Sequence, residues 1–509
     1  MLIRRAVEPR RVTPADASAA REAIRRTASD TFREIFERLF PNTPVPDVMP
    51  AYMDLRADIA GNLWVEEYRS PADRHPPRWT VFDASLSASS PVWPDTRRKI
   101  MRDRGFSRGI AAVLLAVWTA ACGAGERTGA RAVVRDSAGI AIVENTSPLW
   151  REGEAWRLTD EPVIHIGVVE GDPEYQLHRV AGVVRLDDGR IAVANGGTRE
   201  IRFYDPSGRF VSSTGQAGDG PGEFRNLGTF FRLGDSLVAY DHQLRRVSIF
   251  DDRGTFARSF PLEAQGRSGL YPIGVLGDRT LLVSSYVVFM PGEAKPGVSR
   301  DSVVYFRYDL DRAAVDSIGR FAVNEFLVQA NERGMSVQPL PFGMRASTSA
   351  HDRGFFYGTS ERYEIGKYSA DGALEMLIRR AVAPRRLTSA DIDAYREELL
   401  AQAGEAGRQE VERHVAETPF PETMPAFGEL RVDVEGNLWV AEFLSPADRH
   451  PPRWTIFEPD GQMLGTVETP DRFDIHEIGR DYVLGVWIDE FDVQYVRLYG
   501  LIKPTSAPR

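Results

Sequence analysis

Side chains that could carry chemistry are sparse in this sequence. There are eight histidines and one cysteine, and no histidine has the HExxH, HxH or Cys/His spacing that specifies a metal site. The Ser-Gly and Asp-Gly pairs are typical of turns rather than of nucleophiles. The glycine-rich run from Gly218 to Gly222 is not followed by the Lys-Ser/Thr pair and helix of a phosphate loop. The residues therefore predict no catalytic group, and whether a metal binds stays open.

One polar segment, Ser445 to Trp454, is a candidate ligand-binding rim because it occurs twice in the chain without change. Its polar members are Asp448, Arg449, His450 and Arg453. Two successive prolines, Pro451 and Pro452, would hold the segment stiff. The alternative, which we favour, is a connection between strands that the prolines rigidify and Asp–Arg pairing holds in place.

Cys122 ends a segment with the three parts of an export signal. Basic residues run from Arg97 to Arg108, and the apolar stretch from Ile110 to Ala121 is short for a membrane span. The ending resembles that of a bacterial lipoprotein, although Thr119 stands where leucine is usual. If translation starts at Met101, we expect lipid attachment at Cys122 and a place in the bacterial cell envelope, at the outer membrane. The alternative is a buried apolar segment with one structural cysteine.

The beginning of the chain repeats a later part of it. Residues 1–83 match residues 376–458 without a gap, so that Met49 falls on Met424 and Trp64 on Trp439. We expect a helix and a few strands without an independent core, because a single repeat unit cannot bury its own faces. Residues 84–121 are then a linker that contains the signal segment. A non-functional fusion of a truncated relative with a complete protein is one alternative.

Residues 122–509 contain six units, each with hairpins in which apolar residues alternate about an Asp/Gly turn. The first hairpins are Val183–Val193, Phe230–Tyr240, Ile273–Val283, Ser349–Gly358, Leu430–Val440 and Ile475–Val486. The second hairpins are Ile201–Val211, Val247–Phe256, Val304–Ile318, Tyr363–Leu374 and Trp454–Leu464. Six units predict an all-β fold, a six-bladed β-propeller, in preference to a β-sandwich or a seven-bladed ring.

The sixth unit ends with Tyr495–Leu501 and is one strand short. A strand from the early part of the chain must complete it, since closing the ring removes the open sheet edges. Gly139–Glu144 and Trp156–Ile166 are the two candidates.

A helical insertion, about residues 379–421, separates the fourth unit from the fifth. Thr388 and Asp391 are spaced as in a capping box, and apolar residues then follow at helical spacing. Pro419 and Pro421 end the helical pattern. A lid over a central channel and packing against the outer side of a blade are equally compatible with the pattern.

Composition narrows the range of partners. The net charge is −10, which disfavours nucleic acid because its binders normally present a basic face. A single cysteine allows no disulfide within the chain. Core burial and strand pairing must therefore provide the stability.

The segment Gly215 to Phe224 contains a Gly-Pro-Gly-Glu-Phe turn that resembles the linker between blades of NHL-repeat propellers. The region from about Ala130 to Leu501 resembles the NHL-like six-bladed β-propeller lipoproteins of bacteria. The related gluconolactonase-like propellers hold a divalent ion through Glu, Asn and Asp of different blades. That resemblance offers as metal ligands Asn195, Asp241, Asp433 and Glu442. Each is otherwise a turn or rim residue, and Glu223 is a structural residue that bonds backbone between blades.

These observations favour an exported, lipid-anchored binding or scaffold module at the cell envelope. Its partner would be an unknown protein or small molecule, with the membrane reached through the lipid alone and no cofactor required. The rival function is a channel-centred, metal-dependent hydrolase or lyase that acts on a lactone or sugar derivative with a divalent cation. Enzymatic activity is therefore open.

Overall fold

The computed structural model describes residues 52–57, 63–67, 79–82, 131–151, 153–263, 269–277, 279–286, 296–331 and 334–504. Cys122, the signal segment and the helix expected near the N-terminus lie outside these residues. The chain divides into two compact units, Met1–Gly125 with Met290–Ala294, and Glu126–Phe289 with Lys295–Arg509. The described part of the protein is mostly β, in several sheets.

The first unit contains one antiparallel sheet. Its strands are β1 (Tyr52–Ala57), β2 (Leu63–Glu67) and β3 (Trp79–Phe82). Leu55 lies opposite Val65, and the corresponding pair in the second unit is Leu430 with Val440. Seven of the nine described pairs of this sheet have a counterpart at the same offset of 375 residues, so the repeated sequence also repeats most of its strand register.

Four short strands open the second unit, and six sheets follow. The four strands are β4 (Ala132–Ser137), β5 (Ile140–Asn145), β6 (Arg157–Leu158) and β7 (Ile164–Ile166), and a 3₁₀ helix spans Pro173–Tyr175. Sheet 1 has β8 (Val180–Arg185), β9 (Ile191–Asn195), β10 (Glu200–Tyr204) and β11 (Phe210–Thr214). Sheet 2 has β12 (Leu227–Leu233), β13 (Ser236–Asp241), β14 (Arg246–Asp251) and β15 (Phe256–Pro261).

Sheet 3 is larger than its sequence pattern predicts. It has β16 (Leu270–Val275), β17 (Thr280–Ser285), β18 (Gly297–Asp309), β19 (Ala314–Asn331) and β20 (Gly334–Pro339). The hairpin predicted at Val304–Ile318 is therefore the base of a much longer one, and β20 adds a fifth strand.

Sheets 4 to 6 follow, with one helix between sheets 4 and 5. Sheet 4 has β21 (Ser347–His351), β22 (Gly354–Gly358), β23 (Glu364–Ser369) and β24 (Leu374–Arg380). Helix α1 spans Ser389–Glu417. Sheet 5 has β25 (Leu430–Val432), β26 (Leu438–Ala441), β27 (Arg453–Phe457) and β28 (Met463–Glu468). Sheet 6 has β29 (Phe473–Ile478), β30 (Tyr482–Ile488) and β31 (Gln494–Ile502).

The first strand of each sheet lies beside the first strands of its neighbours. β8 contacts β12, β12 contacts β16, β16 contacts β21, β21 contacts β25, and β29 contacts β8. Between sheets 5 and 6, the Val434 N–H donates to Ile478 O at 3.1 Å. The approach is close, because a Cβ added at Gly182 would lie 2.5 Å from Phe230 O. The six first strands thus follow one another in a closed circle.

Apolar side chains fill the spaces between neighbouring sheets. Within the described residues there are six buried clusters, one for each pair of adjacent sheets. Phe203 and Phe250 join sheets 1 and 2, and Leu484 packs with Val193 where sheet 6 meets sheet 1. Each sheet therefore buries both faces, and full burial of one such side chain contributes about 1.5–3 kcal/mol.

Residues 132–166 run along the outer edges of sheets 4, 5 and 6, and we call them the edge strap. β5 pairs in parallel with β24, and β4 pairs with β5. The backbone N–H groups of Leu149 and Trp150 donate to Met463 O and Leu464 O at 2.9 and 2.8 Å. β6 and β7 pair with β31. The strap covers backbone groups that open sheet edges would expose.

The strap settles which early segment completes the sixth sheet. Trp156–Ile166 contains β6 and β7, so the prediction for this candidate is confirmed. The other candidate, Gly139–Glu144, is wrong, since it lies in β5 and joins sheet 4 instead. Alternating apolar residues mark a strand but do not specify which sheet edge it covers.

Helix α1 begins at the predicted capping residues. The Thr388 N–H donates to Asp391 Oδ2 at 3.0 Å, and the Asp391 N–H donates to Thr388 Oγ1 at 3.4 Å. Gly404 has a φ of 64°, which interrupts the regular helix. The Tyr395 ring packs on Phe342, a buried residue of the connection between sheets 3 and 4, with 5.7 Å between ring centroids. No helix in the described part of the chain is both long and apolar enough to cross a membrane.

Candidate functional site

A cavity of about 1140 Å³ lies between sheets 4 and 5, where β24 ends and the chain leads towards α1. We call it the sheet 4–5 cavity. It is lined by the ends of β5 and β24, the residues before β23 and β25, and parts of β27 and β28. Its charged lining residues are Glu144, Glu361, Arg362, Glu364, Arg379, Arg380, Arg385, Glu442, Arg453 and Glu468. Equal numbers of arginines and glutamates make the net charge of the wall zero.

Most of these charges are neutralised locally. Arg379 Nε lies 2.6 Å from Glu364 Oε2, and its Nη1 lies 3.4 Å from Glu144 Oε1. Arg453 Nε lies 3.0 Å from Glu468 Oε1. These pairs are partly exposed, and each therefore contributes little to stability. Their main effect is to fix the shape of the cavity wall.

Arg380 differs from these arginines because its side chain has no carboxylate partner among the ion pairs of the described residues. Its Nη1 donates to Thr455 Oγ1 at 3.3 Å. Its guanidinium carbon lies 5.6 Å from the centre of the Tyr363 ring, and its backbone N–H donates to Tyr363 O at 3.1 Å. Sheet 4 thus supplies Tyr363 and Arg380, and sheet 5 supplies Thr455.

The Tyr363 hydroxyl is buried and makes no hydrogen bond of good geometry within the described residues. The side chains of Thr455 and Arg380 approach it. Burial raises the pKa of this hydroxyl, so it remains a neutral donor at physiological pH. Three side chains with protons to donate therefore meet at one point of the cavity wall.

Glu442 brings a negative charge to the same cavity. Its side chain is exposed, and no cation lies within ion-pair distance of it in the described structure. Phe443, the next residue, adds an aromatic surface and lies under the Arg345 guanidinium, with 5.4 Å between the guanidinium carbon and the ring centre.

The start of α1 is tied to the loop that precedes β27. Arg385 Nη1 lies 2.7 Å from Asp448 Oδ2, and its Nη2 lies 3.1 Å from Asp391 Oδ1. The Ser445 hydroxyl donates to Asp391 Oδ1 at 2.6 Å. Burial alone would raise the pKa of Asp391, but the hydrogen bonds from Ser445 and Thr388 and the charge of Arg385 hold it below 3.8. We call this network the helix clamp.

The four predicted rim residues do not form one site. Asp448 belongs to the helix clamp, and Arg453 lines the sheet 4–5 cavity. Arg449 Nη1 donates to Pro446 O at 2.7 Å, and His450 Nδ1 lies 3.0 Å from Pro451 O. Both of these side chains thus hydrogen-bond to carbonyl groups of their own loop. Asp448 pairs with Arg385, an arginine that lies outside this loop.

Three of the four candidate metal ligands accept hydrogen bonds from other groups of the protein. Asp241 accepts four backbone N–H groups, those of Arg225, Asn226, Gln243 and Leu244, at 2.6–3.0 Å. Asn195 accepts the His178 N–H, and Asp433 accepts two backbone N–H groups together with the side chains of Asn437 and Trp439. Among the residues that the structure describes, no group of three or more His, Cys, Asp or Glu side chains is placed to hold a metal ion.

A second polar cluster lies at the first strands of sheets 5 and 6. Arg431 Nη2 lies 2.9 Å from Glu429 Oε2 and 3.5 Å from Asp474 Oδ1. His476 Nε2 lies 3.5 Å from Asp474 Oδ2. Burial raises the pKa of Glu429. Burial would also raise the pKa of Asp474, but hydrogen bonding and charge from His476 and Arg431 lower it overall.

The glycine-rich loop between sheets 1 and 2, residues 215–226, is held by hydrogen bonds within the loop and by side chains of sheet 2. Glu223 accepts the Gly220 N–H and the Gln216 side chain, both at 2.7 Å. Arg246 of β14 donates to Asp219 O, Gly220 O and Glu223 O at 2.7–2.9 Å. Glu223 therefore bonds backbone within its own loop, and Arg246 makes the link to the next sheet.

Sequence reasoning missed Arg380, Tyr363 and Thr455 because they come from three separate places in the chain: the end of β24, the residue before β23, and β27. A signal was nevertheless present in the repeat. Of the 14 cavity-lining residues that have a counterpart in residues 1–83, 12 are identical there, and only Ala383 and Phe443 are replaced, by Glu8 and Tyr68. In helix α1 only 9 of 29 positions are identical. The two copies have diverged in the helix and kept the cavity wall.

No protein-family model and no curated protein matches the chain. Several solved structures of propeller type are similar to it. A candidate exported protein from Bacteroides fragilis is 13% identical over 72% of this chain and 100% of that one, with a TM-score of 0.39. A DUF4221-family member from Bacteroides vulgatus is 10% identical over 69% of this chain and 99% of that one, with a TM-score of 0.41. A gluconolactonase from Xanthomonas campestris is 13% identical over 64% of this chain and 87% of that one, with a TM-score of 0.34.

Proposed function

We propose that this chain is an exported lipoprotein, anchored through Cys122, whose six sheets are the blades of an NHL-like propeller. Its function is to bind a ligand at the bacterial cell envelope, in the sheet 4–5 cavity. The partner is a small molecule or an exposed group of a larger one, and the membrane is reached through the lipid anchor.

The six-bladed reading is supported by the packing of the sheets. Their first strands follow one another in a closed circle, and sheet 6 packs on sheet 1 through Leu484 and Val193. β7 and β31 join the two ends of the chain in one sheet. The insertion that carries α1 then lies between blades 4 and 5.

The observation that carries the binding function is the retention of the cavity wall in the repeat. A segment kept only for folding would be expected to keep its apolar core and to vary at exposed polar positions. Here exposed lining residues such as Arg385, Glu442 and Arg453 are also unchanged in residues 1–83. A cavity of this size, with polar groups at fixed points of its wall, is typical of a ligand site.

The proposed anchor would hold this cavity near the membrane. Ala132, where β4 begins, stands ten positions after Cys122, and a fully extended segment of that length spans about 35 Å. Ala132 pairs with Asn145, which lines the cavity. The cavity is therefore within reach of ligands at the membrane surface.

The binding function can be tested by filling the cavity. Ala383 is an exposed lining residue, and Ala383→Trp would occupy part of the space without disturbing the core. We expect at least one compound from a panel of sugars, sugar acids, peptides and organic acids to bind by calorimetry. Binding should weaken at least tenfold in Ala383→Trp and stay unchanged in Ala257→Trp, at an exposed position of β15. No binding by the wild type, or equal binding by all three proteins, would refute the proposal.

The anchor requires a separate measurement. Mass spectrometry of the protein from its native cells should show a chain that begins at acylated Cys122. A chain that begins at Met1 would disprove the lipid anchor and leave the binding function untouched. An unstable full-length chain that binds nothing would instead support the non-functional fusion.

A second candidate function, the channel-centred hydrolase or lyase, is favoured by the cluster of Glu429, Asp474 and His476. A carboxyl group with a raised pKa beside a His–Asp pair is an arrangement suited to general acid–base chemistry. If this function holds, His476→Ala should abolish hydrolysis of a lactone probe by the full chain, and added divalent cations should stimulate the wild type. Absence of turnover in the wild type would exclude it for that substrate class.

A further inference from the structure

The sheet 4–5 cavity contains hydrogen-bond donors that have no matching acceptor. The guanidinium group of Arg380 has five N–H donors, and the one hydrogen bond of good geometry that its side chain makes within the described residues is to the Thr455 hydroxyl, at 3.3 Å. That hydroxyl accepts from Arg380 and so keeps its own proton to donate. The Tyr363 hydroxyl beside them makes no bond of good geometry in the described structure.

Burial makes this arrangement costly without a ligand. Tyr363 is 9% exposed and Thr455 is 6% exposed, so water reaches them poorly. A buried polar group without a partner is unfavourable, and so is a half-buried cation without a counter-ion. Arg379, Arg385 and Arg453 avoid that cost through carboxylate partners.

We propose that the sheet 4–5 cavity binds an oxyanion group, a carboxylate or a phosphate, which pairs with Arg380 and accepts hydrogen bonds from Tyr363 and Thr455. This rests on the proposed function of the cavity as the ligand site. An oxyanion offers several lone pairs to one fork of N–H donors, which is the geometry that arginine recognises best. A neutral or cationic group would leave the guanidinium unpaired.

Glu442 would repel a bound oxyanion, and its removal therefore has a predictable effect on the affinity for an anion. Its unpaired carboxylate lies in the same cavity, and like charges repel. Removing this charge should therefore strengthen the binding of an oxyanion. If the ligand instead presents an ammonium group to Glu442, removing the charge should weaken binding.

The oxyanion has two possible sources. It belongs either to a soluble compound or to the headgroup of an anionic lipid, which the tether from Cys122 would bring within reach. The chemistry at Arg380 is the same for both, and experiments with dissolved anions and with vesicles separate them.

The first experiment uses the full chain with sodium acetate and inorganic phosphate as probes. An anion that binds the folded state raises the melting temperature by an amount that grows with the anion concentration relative to its Kd. We expect a concentration-dependent rise for at least one probe, and at least a tenfold loss of apparent affinity in Arg380→Ala. Arg312→Ala is the matched control, because it removes the same charge from an exposed turn between β18 and β19 that is not part of the cavity wall.

Three further variants test the donors and the charge. Tyr363→Phe and Thr455→Val should each weaken anion binding severalfold, since each removes one hydroxyl donor. Glu442→Gln should strengthen it severalfold. A rise in melting temperature that is equal in the wild type and Arg380→Ala would overturn the proposal, and so would a weakening in Glu442→Gln. No rise with either probe would overturn it as well.

The second experiment uses vesicles of phosphatidylglycerol with phosphatidylcholine vesicles as the control. Arg380-dependent binding to phosphatidylglycerol assigns the oxyanion to a lipid headgroup, whereas binding of dissolved anions alone assigns it to a soluble ligand. The proposed function and this inference fail differently. Suppose that Ala383→Trp blocks the binding of a compound and Arg380→Ala leaves it unchanged. The proposed binding function is then supported, and the proposal that the cavity binds an oxyanion is wrong.

Discussion

Two connections occupy the same place in the repeat and are built in opposite ways. The glycine-rich loop that follows sheet 1 is compact, and Arg246 and Asp241 satisfy its backbone groups. The connection that follows sheet 4 contains helix α1 and borders a large cavity. Within the described residues, Arg380 has no carboxylate partner there and the Tyr363 hydroxyl makes no well-formed hydrogen bond. The first connection uses its polar groups to hold sheets together, and the second keeps some of them unsatisfied.

The difference indicates where function lies in a fold of repeated sheets. Polar side chains that bond backbone stabilise the native state and are costly to lose. Polar side chains that lack partners lower stability and persist only if something else requires them. Removing a polar group that is hydrogen-bonded should therefore lower stability, whereas removing an unsatisfied one should raise it.

The largest effect is expected for Asp241→Asn. Asp241 accepts four backbone N–H groups, and the amide nitrogen of asparagine would face donors instead of accepting from them. We expect a loss of about 3 kcal/mol or more in the free energy of unfolding, measured with urea. Asp252→Asn, at an exposed turn position, is the control and should change stability little. If Asp241→Asn lowers the free energy of unfolding only slightly, the hydrogen bonds of Asp241 do not hold the loop in place.

Arg246→Ala is expected to have the next largest effect. It removes three hydrogen bonds to loop carbonyl groups, and charge-assisted bonds of this kind justify a loss of about 2 kcal/mol. Limited proteolysis should also cleave the Gly215–Asn226 loop faster than in the wild type. Arg209→Ala, at a highly exposed side chain paired with Asp205, should show neither change. Equal protease resistance in the two variants would contradict the clamping role of Arg246.

Asp391→Asn tests the helix clamp through its pH dependence. The pKa of Asp391 is held below 3.8 in the folded state, so its charge stabilises the fold above that pH and ceases to do so as the pH falls through the lowered pKa. We expect the variant to be about 1–2 kcal/mol less stable at neutral pH, with the difference shrinking below pH 3.8. Urea titrations at several pH values measure it. A difference independent of pH would show that the charge is not what matters.

The smallest effect, and one of opposite sign, is expected for Tyr363→Phe. It removes a buried hydroxyl without a well-formed bond, and stability should rise by about 0.5–1 kcal/mol. Tyr305→Phe is the matched control, because the Tyr305 hydroxyl is bonded to Thr348 at 2.8 Å, and the same change there should lower stability. If Tyr363→Phe is instead less stable than the wild type, the Tyr363 hydroxyl stabilises the fold, and the two connections do not differ in the way described.

The sequence predicts most strands of the second unit because each hairpin is local. Val183–Val193, for example, contains its alternation and its turn within one short segment, and β8 and β9 form there. Pairing between distant segments was less predictable. β5 has the alternation of a strand, but its choice of β24 depends on an edge that only the assembled sheets define.

The candidate site was predicted in part for the same reason. Arg453 was singled out by the repeated segment and lies in the cavity wall. Its neighbours there include Arg380 and Tyr363, which stand 73 and 90 positions earlier in the chain. No spacing rule brings such residues together, because their proximity comes from the packing of sheet 4 on sheet 5.

The edge strap also has a consequence for the order of events during synthesis. His165 of β7 and Arg497 of β31 are 332 positions apart, so the strap leaves the ribosome long before its partner strand exists. The last sheet cannot be completed until almost the whole chain has been made, and contacts of such long range form slowly. Until then β6 and β7 lack their partner, and the unfinished chain remains open. Under the export that we propose, this delay would allow translocation to precede closure of the fold.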